Sequence, residues 1–357
     1  MNYLSLATAA LLAGASLTAS ARPAILPPLA PQIGQGYVHP HTMVDIGNGR
    51  KMNLYCRGEG SITVIFDSGL SDWSSIWALV QPAVAASTRA CTYDRAGMGY
   101  SDVSGRPSSP PNIVADLHQL LLAAGILPPY LLVGHSLGGF NMKLYAATYR
   151  SQVAGMVLVD PAEERSAVRV AAAVRARFGN VAVDKAIALD VAGRTKYQAL
   201  LTACANEAAG HDLSPTSKSY EACTDPVRSP LGVDIAAERQ VLQVRSAYQA
   251  GQASEQANSV NQQPANATLD AAYARAFGAP EVFGDMPLIV LSHSIVTPSG
   301  AYGEMGSLQN QLLHEQTAAL STRGVHRVVP ETHHNIEVEQ PQAIIDAIED
   351  VLEAARK

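Results

Sequence analysis

The chain has 357 residues, 47% of them hydrophobic and 16% charged, with a formal net charge of −6. That length fits one large domain, or a domain with an insertion, and the apolar fraction supports a substantial core. There is no basic block, no long charge run and no internal repeat, which argues against a nucleic-acid partner and against an interaction tail.

The first 21 residues lack Lys, Arg, Asp and Glu, and an Ala/Leu-rich run over residues 4–17 precedes Ala19-Ser20-Ala21. Residues 1–21 read as a secretory signal peptide, so a periplasmic or extracellular protein is expected. The run is short for a span, and no stable membrane insertion is expected after cleavage. Residues 22–36 carry Pro23, Pro27, Pro28 and Pro31 and read as an extended tether. Four cysteines with no C-x-x-C or paired Cys/His spacing point, in an oxidising compartment, to disulfides rather than metal binding.

Residues 38–46 and 51–56 predict two strands joined at Asn48-Gly49, a hairpin turn signal. Residues 61–66 predict a third strand, which runs into the loop Asp67-Ser68-Gly69-Leu70-Ser71. A helix is expected over residues 74–86, with Ile76, Trp77, Val80 and Val84 on its apolar face. Residues 89–93 form a fourth strand, followed by a Gly-rich loop to Asp102 and a helix near residues 111–124. Strands at 130–133 and 153–159 follow, separated by a helix. Residues 161–285 break this alternation; they are rich in Ala, Gln, Arg and Ser and predict helices, for example at 167–178 and 235–248. The strand pattern resumes at 287–291 and 326–329, with helices near 308–320 and 341–355. Such alternation implies a largely parallel sheet covered on both faces, with residues 161–285 lying over the carboxyl ends of the strands.

Within this pattern, Gly134-His135-Ser136-Leu137-Gly138 fits G-x-S-x-G, preceded by an apolar strand and followed by a helical pattern containing Phe140, Leu144 and Tyr145. Strand, tight turn and helix are the context of a nucleophile elbow, in which the serine hydroxyl is exposed at the sheet edge beside a helix N-terminus.

Three motifs in this order, the loop Tyr93–Asp102, the elbow and the segment His334-Asn335-Ile336 before Gln340-Pro341, resemble those of the α/β-hydrolase family, of the lidded esterase/lipase type. The resemblance covers residues 37–160 and 286–357; over 161–285 it extends only to position. It implies a mostly parallel eight-stranded sheet with helices on both faces and a helical cap inserted after strand six. The domains would be the signal peptide (1–21), the tether (22–36), a core in two parts (37–160 and 286–357) and the cap (161–285).

On this resemblance Ser136 is the nucleophile and needs a base, because a neutral hydroxyl is a poor nucleophile. His334 aligns with the family base, with His333 its neighbour and His293 a weaker rival after the seventh strand. The oxyanion donors would be the amides of Leu137 and Leu70, the latter on a loop with Ser68-Gly69 where many relatives have His-Gly. The loop after strand seven, the family's common place for the acid, holds no carboxylate; some lipases and dehalogenases of this fold carry it instead at the end of strand six, so the resemblance implies Asp160, with Glu163, Glu164 and Glu304 as the alternatives. Asp94 and Arg95 read as an ion pair bracing their loop. In this fold the second and fourth strands are neighbours, which pairs Cys56 with Cys91, and leaves Cys204 with Cys223 inside the cap. No cofactor or metal signature appears. The expected activity is hydrolysis of a small-molecule carboxylic ester through an acyl-enzyme. Lactonase, amidase or peptidase, and acyltransferase activities use the same triad, and a non-catalytic binding protein is the alternative from another class.

Overall fold

Eight strands form one sheet in the computed structural model, which describes residues 31–260, 265–295 and 301–357. The expected signal peptide and the first part of the tether, residues 22–30, lie outside the described residues. The strands are β1 (Thr42–Asp45), β2 (Lys51–Arg57), β3 (Thr63–Asp67), β4 (Arg89–Tyr93), β5 (Tyr130–His135), β6 (Val153–Val159), β7 (Leu288–His293) and β8 (Gly324–Val329). Their order is β1-β2-β4-β3-β5-β6-β7-β8. The pairs β1–β2 and β2–β4 are antiparallel, and every pairing from β4 to β8 is parallel. β3 and β5 lie at the centre, and every residue of both is buried, which is why β5 reads as an unbroken apolar run.

Side chains alternate across each strand, so one strand feeds two cores. Tyr130 and Leu132 pack with Leu117, Phe140 and Met156 on one face. Leu131 and Val133 pack with Phe66, Trp77, Val157, Ile344 and Ile348 on the other. The first face is covered by α1 (Pro110–Ala123) and α2 (Leu137–Thr148). The second is closed by the final helix, whose Ile344, Ile348, Val351 and Leu352 are buried while its acids face out.

Between β6 and β7 no strand occurs among the described residues. The longest elements there are α3 (Asn180–Glu207), α4 (Gly232–Gln243), α5 (Ser246–Asn258) and α6 (Ala267–Phe277). The single helix expected over 235–248 is two, broken at Val244 and Arg245, where Arg245 has extended dihedrals. The helix expected over 74–86 is a 3₁₀ turn, Ser74–Leu79, followed by the four-residue helix Gln81–Val84. Pro82 lacks the N–H that a continuous helix would need there. The core then ends with α7 (Ala301–Ala318), α8 (Ile336–Glu339) and α9 (Pro341–Arg356).

Both expected disulfides are formed. Cys56 and Cys91 face each other across the antiparallel β2–β4 pair with Cα atoms 4.0 Å apart, and Cys204 joins Cys223 with Cα atoms 5.6 Å apart. The first clips the sheet edge; the second ties the end of α3 to the chain ahead of α4.

Candidate active site

Ser136 is the residue between β5 and α2, at φ 52° and ψ −116°. Such a backbone is costly for a residue with a side chain, and persists only where its surroundings enforce it. Here a Cβ on Gly134 would lie 2.4 Å from the carbonyl oxygen of Gly138, and one on Gly138 would lie 2.3 Å from that of Asp67. The two glycines therefore permit the turn by letting backbone meet backbone. Ser136 is further held from β6, since its N–H donates to Val159 O (3.0 Å) and its carbonyl accepts from Ala162 N–H (2.8 Å).

Those two bonds bracket Asp160, which follows β6 with φ 43° and is buried. Its Oδ2 accepts from His334 Nδ1 at 2.5 Å and from His293 Nδ1 at 2.7 Å, and its Oδ1 from the His293 N–H at 3.3 Å. Burial alone would raise the carboxyl, but the hydrogen bonds from the two histidines outweigh it and hold Asp160 well below the usual carboxylate range. His293 is lowered by burial and raised more strongly by Asp160, so its net shift is upward. The His334 side chain is about a quarter exposed at 26%, while that of His293 is enclosed. Of the two rings on this carboxylate, His334 is the one that opens to solvent. In the free protein its ring forms no hydrogen bond to the Ser136 hydroxyl among the described residues; such contacts commonly tighten only in the substrate complex.

The rival acids and bases lie elsewhere. Glu163 and Glu164 both accept from buried Lys143 at 2.7 Å and from Arg169 at 2.6 and 2.7 Å. Glu304 is exposed on α7, 4.0 Å from Arg177. His333 is exposed and bonds Glu339. The structure thus brings Asp160 and His334 together and separates the alternatives from them. The sequence reading underrated His293. Its signal was position: β6 and β7 are parallel with Val159 opposite Leu291, so a histidine closing β7 stands beside the residue that follows β6. His314 on α7 also went unread; it is buried and bonds Ser292 Oγ (2.5 Å) and Pro161 O (3.1 Å) beneath the same carboxylate.

Leu137 opens α2, so its amide is among those a helix leaves without an internal acceptor. On the facing loop, Ser71 N–H donates to Glu255 and Asp72 N–H to Gly69 O, while the Leu70 amide has no intramolecular acceptor among the described residues. That loop is braced by Arg95, whose Nη1 donates to Ser68 O (2.6 Å) and Nη2 to Gly69 O (2.7 Å). The expected Asp94–Arg95 pair is corrected here. Arg95 pairs with Asp67 (2.7 Å) and with Glu255 of α5 (2.6 Å). Asp94 instead accepts from Asn53 Nδ2 and from the amides of Ser74 and Tyr100. Neighbours in an extended segment point apart, so two adjacent opposite charges found different partners.

Asp160, His293 and His334 are also the set of nitrogen and carboxylate donors that could ligate a metal ion among the described residues, lying within 4.8 Å of one another. Both ring Nδ1 atoms are directed at the carboxylate, the arrangement of a hydrogen-bonded relay.

A family model for the alpha/beta hydrolase fold matches residues 62–319, and the chain belongs to that family. Among curated relatives, the uncharacterized protein YqjL of Bacillus subtilis (strain 168) is 36% identical over 106 residues, which cover 30% of this chain and 42% of that protein. The mouse (Lyso)-N-acylphosphatidylethanolamine lipase is 32% identical over 97 residues, 26% of this chain and 28% of that one. The chain spans less than half the length of these relatives. Similar solved structures include a thermophilic esterase from Thermogutta terrifontis, with TM-score 0.57, 14% identity and coverage of 88% of this chain and 98% of that one. Another is a putative lipase from Acinetobacter baumannii AYE, with TM-score 0.60, 16% identity and coverage of 91% and 94%. At these identities the likeness is one of fold.

Proposed function

We propose that the protein is an exported serine hydrolase that cleaves small carboxylic esters. The observation that carries this reading is a strained, glycine-flanked Ser136 whose backbone is bonded on both sides of Asp160, itself bonded to the exposed ring of His334. In this reading His334 Nε2 takes the Ser136 proton as Oγ attacks the ester carbonyl. The oxyanion is met by the Leu70 and Leu137 amides, and Asp160 fixes the tautomer and stabilises the imidazolium. The imidazolium then protonates the departing alcohol, leaving an acyl-Ser136. Water attacks that ester with His334 again as base, and the acid product leaves. Two disulfides and the charge-poor N-terminal run support export.

A fluorophosphonate probe and a panel of p-nitrophenyl esters of rising chain length test this together. The wild type should label at Ser136 and hydrolyse the esters, and Ser136→Ala should lose turnover by about a million-fold while staying folded. A folded variant that kept more than a few per cent of turnover would refute the elbow as the source of the nucleophile. Sequencing the N-terminus of the exported protein tests the cleavage expected after Ala21.

A further inference from the structure

Behind the serine lies a second buried acid that the mechanism above does not use. Glu337 sits on α8, three residues past His334, and is 0% exposed. Its Oε1 is 3.3 Å from Nδ1 of His135, also buried. Both oxygens of Glu337 and His135 Nδ1 are buried without a geometrically good hydrogen bond among the described residues, so two unpartnered polar groups face each other, with the backbone N–H of Glu337 itself also acting on its carboxyl. The other ring nitrogen, His135 Nε2, is 2.9 Å from the backbone oxygen of His334, and the two rings are 4.6 Å apart.

The donor inventory fixes the protons. A carbonyl only accepts, so His135 Nε2 carries hydrogen. Burial and the nearby His334 push His135 down to about 3, so the ring is neutral and Nδ1 presents a lone pair. A carboxylate facing that lone pair would set two acceptors against each other; a carboxylic acid can donate to it. We propose that Glu337 is a positioning residue for the base, held as a neutral acid that donates to His135 Nδ1 and, through the His135 Nε2–H, anchors the backbone carbonyl of His334. Asp160 then holds the ring of His334 and Glu337 holds its backbone. This rests on the reading of His334 as the base.

The surroundings favour the neutral acid. Burial pushes the Glu337 carboxyl up to about 8, overcoming the opposite pull of Arg228. Arg228 faces it from the turn before α4, but its charge is committed to Asp72 (3.0 Å) and Asp225 (3.3 Å). Asp72, from the loop after β3, also pairs with Arg239 (2.8 Å). His135 and His334 face it from β5 and from the loop ahead of α8. The acids of α9, Asp346, Glu349, Asp350 and Glu353, are exposed and turn away. Above its folded pKa Glu337 ionises, the donor disappears and the anchor on His334 loosens.

The test compares wild type, Glu337→Gln and Glu337→Leu from about pH 6 to about pH 10, with kcat and KM on a p-nitrophenyl ester corrected for background hydrolysis. Wild-type kcat should fall on the alkaline side with an inflection near pH 8 and little change in KM. Gln retains an N–H donor and does not titrate, so it should keep most of kcat at neutral pH and lack that inflection. Leu should lower kcat by about tenfold at neutral pH, lack the inflection and converge on the wild type in alkali, where the wild type has lost its donor too. Infrared difference spectra between wild type and Glu337→Gln should show a protonated-carboxyl band at neutral pH that vanishes in alkali. An unchanged alkaline limb in Glu337→Gln, a Leu variant that tracks the wild type, or no acid band would each overturn the proposal. The infrared readout needs no catalysis, so an inactive wild type that shows the band would count against the hydrolase reading alone.

Discussion

Across the sheet, alternate residues of β5 enter two apolar clusters, whereas the helices between β6 and β7 join the core both through apolar residues such as Tyr273, Phe277 and Ile235 and through a set of buried charges. Glu255 of α5 reaches Arg95 and the Ser71 amide. Arg239 of α4 pairs with Asp72 and stacks on Trp73 at 4.2 Å, while Glu238 accepts from the Trp73 indole N–H. Lys143 of α2 reaches Glu163 and Glu164 at the entry to the helical segment. The two kinds of contact respond differently to change. Apolar packing loses stability in proportion to the volume removed, while deleting one partner of a buried pair strands the other charge. The helical segment is therefore docked by contacts that specify one register, and several of them end on the loop that presents the Leu70 amide.

After Ser136 itself, the largest effect should come from Asp160, the carboxylate proposed to be catalytic. Asp160→Asn should lower kcat by about ten-thousand-fold, because an amide in that place favours the wrong histidine tautomer. Glu304→Gln, on an exposed acid, should change kcat less than about twofold, and both are read from steady-state ester hydrolysis. The reverse ranking would move the acid to α7.

Next comes the link between the two regions. Glu255→Ala leaves Arg95 buried with one partner fewer and should cost roughly 3–5 kcal/mol by denaturant titration, with kcat falling as the Ser68–Gly69 loop loosens. A Leu in place of Val64 in the sheet core, overpacked rather than uncharged, should cost about 1–3 kcal/mol and leave kcat nearly unchanged. Equal losses of kcat in the two variants would remove the distinction drawn between the regions.

Below the loss expected for Glu255→Ala is the contribution of each disulfide, about 2–4 kcal/mol through the unfolded chain. Paired Cys→Ser replacement at 204 and 223 should loosen the helical segment selectively, seen as faster proteolysis there, while replacement at 56 and 91 should lower the whole transition.

The finest test is pH. Burial pushes Glu238 up to about 8, against the pull of Arg239 and the Trp73 hydrogen bond. The folded state keeps a proton that the unfolded chain releases near its ordinary value, so this contribution is complete below about pH 4.5 and is lost as pH rises through the folded value. Glu238→Gln should therefore flatten the decline in Tm between about pH 5 and about pH 8, measured by calorimetry.

Much of the site was legible because its signals are local. Gly134, Ser136 and Gly138 are two residues apart, and their spacing alone describes a turn in which backbone must approach backbone. The strand ends were readable as the points where apolar runs stop, which placed Asp160, and the absence of an acid just past Leu291 directed attention there. The second histidine on Asp160, the buried acid behind His135 and the partners of Arg95 were not legible in this way. His293 stands 133 residues from Asp160 and Glu255 stands 160 from Arg95, so no spacing rule connects them. Adjacency even misled, since Asp94 beside Arg95 suggested a pair, whereas each finds different partners in the fold.

By itself the sequence determined the fold family, the strand and helix alternation, the glycine-flanked turn at Ser136 and the cysteine pairing, because each follows from short-range pattern or from the neighbour relations that the family's sheet order fixes. Tertiary structure alone decided which side chains share a desolvated space. That is what makes one carboxylate at β6 deeply acidic and another, three residues past His334, a neutral acid. Burial and partner geometry set the free energy of a charge, and both depend on segments more than a hundred residues apart meeting at one sheet edge.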